Sequence, residues 1–234
     1  MLALLLALSL QAPCSPEAAS LVEQAGVRAS EFDLVGAADL LRRAVAAGCG
    51  NADVAALYVG GLVDARAAFS QGGSSEALAP VTRAIDALAV LAADRPGPAE
   101  IARLTLHAAA AAAQSERDEM RVYLDSAIQM ETLQRAAGQT GAPIVSPVEI
   151  AGDLWLQIYR YDDARRAYGE AADQRGFTPR ISLGLARSHA HAGDVAAACA
   201  SYRVLLDGWG TRPDVAEILE GRAYVREHAC ARPQ

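Results

Sequence analysis

Two histidines set one residue apart, His189 and His191, come nearest in this sequence to a metal-binding or acid–base pair. On a helix their side chains point roughly 200° apart, so they cannot grip one ion together. Asp162-Asp163 offers adjacent carboxylates, but it stands where a helix begins. Acids are favoured there by the positive end of the macrodipole. His107 and His228 are isolated. The sequence has no CxxC, HExxH, GxSxG or GxGxxG pattern, and every cation is an arginine. Without lysine there is no P-loop lysine, no Schiff-base nucleophile and no Ser–Lys dyad. The expectation is a chain with no catalytic residue, no metal and no cofactor.

The elements that position these residues are helices. The 234 residues are 52% apolar but only 5% aromatic, so the core is built from Ala, Leu and Val. Ala and Leu are strong helix formers, and the long β-branched runs that mark strands are missing. The chain reads as all-α. A net charge of −7, with acids and arginines interleaved, leaves no basic stripe for nucleic acid.

Start signals divide the chain. Ser15-Pro16-Glu17, Ser146-Pro147 with Glu149, and Thr178-Pro179 each place a cap before a helical proline. Asn51, Ser115 with Asp118, and Arg212-Pro213-Asp214 are expected to open three more helices. Glycine- and proline-rich stops at 48–50, 71–73, 95–98, 138–141 and 208–210 close the segments. Five antiparallel pairs follow, at 17–30 with 33–47, 52–70 with 75–93, 98–114 with 116–137, 147–159 with 161–175, and 179–191 with 194–207. A last helix runs near 213–229. The alanine run 108–113 reads as closely packed helix. The irregular stretch 138–147 is a hinge candidate between the first three pairs and the rest.

In the second helix of each pair a triad recurs at i, i+4 and i+7, which places it on one face. The triads are Ala37/Leu41/Ala44, Ala77/Val81/Ala84, Met120/Leu124/Ala127, Ala164/Tyr168/Ala171 and Ala198/Tyr202/Leu205. The last two lie 34 residues apart. With Gly152 and Trp155 before the first and Ala186 and Gly193-Asp194 before the second, region 146–209 resembles the tetratricopeptide repeat. His189 and Leu205 depart from that pattern.

The resemblance implies a right-handed superhelical stack of hairpins. It divides into degenerate hairpins over 14–137, two clearer repeats over 146–209 and a capping helix over 211–230. A lone hairpin cannot bury its apolar face, so units must stack. By the same resemblance the first helix of each repeat faces a concave groove. That register selects Glu149, Asp153 and Gln157, then Arg180, Leu183, Arg187 and His191. It predicts that Arg187→Glu weakens partner binding with little loss of thermal stability. The implied function is a non-enzymatic scaffold binding a protein or peptide; the alternative is a periplasmic small-ligand or transport accessory protein of the same fold.

Cys14 precedes the first helix and Cys49 follows the second, so both lie at the open end of one antiparallel hairpin. A bridge closing that loop is worth about 3–4 kcal/mol. Cys199 and Cys230 miss by about 13 Å if both helices are straight and start as expected. Residues 1–12, MLALLLALSLQA, read as a signal peptide with Ala12 at the cut, although they lack a positive start. The other reading is a packed N-terminal helix. Export to the periplasm or beyond, without a transmembrane segment in the mature chain, is expected; otherwise the chain is cytoplasmic.

Overall fold

A computed structural model describes residues 14–139, 143–212 and 214–230. The expected signal segment, part of the 138–147 stretch and Pro213 lie outside them. Eleven α-helices and no strand occur among the described residues. Five antiparallel pairs are α1 (Pro16–Ser30) with α2 (Leu34–Ala46), α3 (Asp53–Ser70) with α4 (Ser75–Ala92), α5 (Pro96–Ala113) with α6 (Arg117–Ala136), α7 (Pro147–Gln157) with α8 (Tyr161–Arg175), and α9 (Pro179–His191) with α10 (Val195–Trp209). Helix α11 (Ala216–Glu227) packs on α10.

Caps explain most starts. Ser15, Asp33, Ser74, Ser146, Thr178 and Asp194 each accept an amide of the following turn. Pro16, Pro147 and Pro179 stand at the first helical position as expected. Pro96 does too, so the 95–98 stretch opens a helix instead of separating two. Three starts differ from expectation. The residue before α3 is Ala52, the last of a short 3₁₀ turn at Gly50–Ala52, and no side chain caps the helix. Ser115 is not a cap; its φ of 64° makes it the middle of the turn before α6. Helix α11 begins at Ala216, after Val215.

The triads form the core. All their members are buried except Ala77, which is half-buried. Each second helix packs on its own first helix and on the first helix of the next unit. The first helices α3, α5, α7 and α9 contact one another in order and make the inner layer. Helix α5 is buried almost all round, which its alanine run permits.

Four of the hairpin turns are three residues long with a left-handed middle residue: Phe32 at φ 78°, Ser115 at 64°, Tyr159 at 63° and Gly193 at 79°. Glycine adopts this conformation without cost, whereas a side chain there is strained. Phe32 is therefore not what the turn itself requires.

Both cysteine pairs are bridged. Cys14 and Cys49 have their Cα atoms 4.5 Å apart, as the hairpin geometry predicts. Cys199 and Cys230 stand 5.6 Å apart, against the straight-helix expectation. Helix α10 runs on to Trp209 and α11 starts later, which shrinks the mismatch to about 6 Å. Ala229, at φ 44°, then turns Cys230 out of the helix and back towards α10.

Candidate functional site

The inner layer bounds a cavity of about 310 Å³. Leu62 and Phe69 on α3, Leu154 on α7 and Leu183 on α9 give it apolar walls, and Phe32 reaches it from the α1–α2 turn. Arg66, Asp153, Gln157, Arg180, Arg187 and Glu217 supply its polar groups. Five of the seven residues selected by register therefore line it: Asp153, Gln157, Arg180, Leu183 and Arg187. Two do not. Glu149 is 4% exposed and sits behind Arg180. His191 is exposed and stacks on Tyr161, with ring centroids 5.0 Å apart.

Many of these charges are already used. Thr178 caps α9, which places Arg180 in the first turn, facing α7. Its Nε lies 3.4 Å from Glu149 Oε1, and its Nη2 donates to Asp153 Oδ2. Tyr168 Oη donates to the other Asp153 oxygen at 2.5 Å. Arg180 Nη1 is buried and has no acceptor. The two carboxylates hold Arg180 charged despite its burial. Burial raises the Glu149 carboxyl above its ordinary range, against the pull of Arg180. The cluster ties consecutive units together, so Glu149, Asp153 and Arg180 spend their charges on one another and not on an open groove.

Further along, Arg187 donates from Nε and Nη2 to Glu220 on α11 at 3.0 and 2.6 Å. Tyr202 Oη donates to the same carboxylate at 2.6 Å. These donors hold Glu220 below the usual carboxylate range although burial opposes them. Reversing Arg187 would set two carboxylates against each other, so its predicted harmlessness to stability does not hold.

The two ends of the stack also meet. Arg212, between α10 and α11, grips Glu31 with two hydrogen bonds of 2.6 and 2.7 Å across 181 residues of sequence. Phe32 packs with the C-terminal cluster of Leu183, Ala186, Tyr202, Leu205 and Ile218. Register reasoning selected none of Glu31, Phe32 and Arg212. The available signal was an aromatic at Phe32-Asp33 in the turn position that Gly193 holds before Asp194.

Tetratricopeptide-like stacking explains this arrangement, and the comparison with solved structures agrees. A thermophilic TPR protein of Thermus thermophilus superposes with a TM-score of 0.52, over 89% of this chain and 99% of that one, at 17% identity. The fold is a tetratricopeptide-like stack. No protein-family model and no curated protein matches the sequence. In this stack Trp155 floors a second cleft, of about 460 Å³, between α6, α7 and α8, rimmed by Arg121, Arg166 and Asp125. Among the described residues no group of three or more potential metal ligands comes together. No described helix is long and apolar enough to cross a membrane.

Proposed function

We propose that this chain is a non-enzymatic interaction scaffold that holds a segment of a partner protein against its inner layer. One observation carries the reading: the inner cavity pairs apolar walls with Arg66 and Glu217, neither of which has an ion partner among the described residues. Gln157 likewise keeps its amide free of side-chain hydrogen bonds there. A polypeptide supplies all that such a surface takes, namely apolar side chains, both charges and backbone amides. Two disulfides suit an oxidising compartment, so export is part of the proposal.

The test is site-specific photocrosslinking in the native host. A photoreactive residue at Gln157 or Arg66 should capture a discrete protein, and one at the exposed outer residue Val122 should not. Equal capture from Val122, or no adduct from either inner position in a folded protein, sinks the reading. A small molecule copurifying in place of a protein would move the assignment to a ligand-binding protein of the same fold.

A further inference from the structure

We propose that the α1–α2 turn is a gate on the inner cavity, held shut by Glu31 and Phe32 against the last unit. The inference rests on the cavity being a binding surface, and it concerns how an occupant enters.

The closing contact is thin. No more than slight helix–helix contact joins α1 or α2 to α9, α10 or α11, whereas successive helices pack extensively. Among the described residues one ion pair and one aromatic ring carry the closure. The ion pair is partly solvated, with Arg212 46% and Glu31 21% exposed. Salt therefore screens it. Phe32 has two roles at once, because it lines the cavity and packs into the C-terminal cluster. When it leaves, the cavity loses a wall.

Phe32 also holds a strained backbone at φ 78°, in a turn that Gly193 makes elsewhere in this same stack. The turn does not need that side chain; the docked ring does. Stacked repeats contact only their neighbours, so small adjustments along the array add up to a wide movement of its ends. A ring bridged at Glu31–Arg212 cannot take the middle of another chain by threading. Such a segment enters sideways, once the bridge parts.

Thiol labelling tests the gate without any partner. All four native cysteines are bridged, so a cysteine at Ala109, a buried cavity-wall position, is the reactive thiol. Its rate with fluorescein maleimide is read in folded protein, verified by circular dichroism. Glu31→Arg should speed labelling at least about fivefold, as expected for replacing an ion pair by a repulsion. Glu31→Arg with Arg212→Glu should return the slow rate. Phe32→Gly should label fast. Roughly 1 M NaCl, with a Debye length of about 3 Å, should speed the Ala109→Cys protein and leave the Phe32→Gly background unchanged. A cysteine at Leu154 serves if the one at Ala109 does not fold, and one at exposed Val122 should be indifferent to all changes. Equal rates in every background, or failure of the charge swap to restore protection, overturns the gate. Capture from Gln157 is a separate measurement, so failure of the scaffold reading leaves these rates as they are.

Discussion

Gly184 on α9 faces the ring of Tyr168 on α8 with no room for a Cβ between them. On the other side of the ring is Gly152 of α7, where a Cβ would lie 2.7 Å from Cδ1 and Cε1. One second-helix aromatic is thus clasped between glycines of its own unit and the next. Gly184→Ala gains about 1 kcal/mol of helix propensity but overpacks the core, at about 1–3 kcal/mol. A net loss follows, with Tm down by roughly 2–6 °C. Tyr168→Leu makes room for the methyl, so in that background Gly184→Ala should be neutral or stabilising. Thermal scans of the four proteins decide it, and an additive pair shows that the ring is not clasped.

The buried Arg180 cluster gives a pH prediction. Burial raises Glu149 in the folded state, so between its unfolded value near 4.5 and its higher folded value the native state binds more protons. Stability from this group is full below that window and declines as pH rises through it. Glu149→Gln keeps an acceptor for Arg180 Nε without the charge. The variant should gain relative to the parent as pH rises from about 4.5 to 7, measured by urea unfolding. His107 and His189 are lowered by burial, which weakens both proteins alike as pH falls below about 6.5. A difference between variant and parent that stays constant with pH shows that Glu149 is ionised throughout.

Local signals carried most of the fold. Ser15, Ser146 and Thr178 cap the helices they were expected to cap, and the five triads lie in the core. The Ser115 and Pro96 errors share a cause: a serine or proline near a boundary does not say which side of it is helical. The site was less legible because side chains pair across units. Glu149, grouped by sequence with the start signal of its own helix, turns to Arg180 31 residues on. Register gives the face a residue occupies, not the partner waiting there. The Glu31–Arg212 contact depends on the accumulated curvature of every intervening hairpin, and no local pattern encodes it.

The Cys199–Cys230 bridge fastens the capping helix and closes a sequence separation of 31 residues. Replacing both cysteines with serine should cost about 2–4 kcal/mol. The loss should be local, because α11 packs mainly on α10. Amide exchange should therefore quicken across 216–227 and leave α3 to α6 protected. The Cys14/Cys49 double serine should instead loosen α1. Uniform acceleration along the chain would show that the array unfolds as one cooperative block.

Arg187 and Glu220 separate holding the fold from touching an occupant. Their side chains are each 34% exposed, so the pair lies between the surface and buried limits. Arg187→Glu leaves two carboxylates facing one another, and a loss of about 1–3 kcal/mol is expected. Exchanging the residues, with Arg187→Glu and Glu220→Arg, restores the attraction but leaves Tyr202 Oη without its acceptor. The swap should recover about half of the loss, with a double-mutant coupling near 1–2 kcal/mol. It also moves positive charge from α9 to α11 while keeping the net charge. If a partner reads charge on the α9 wall, capture at Gln157 falls in the swapped protein even though its fold is restored. Capture that tracks stability alone, recovering with the swap, would show that Arg187 only braces the wall.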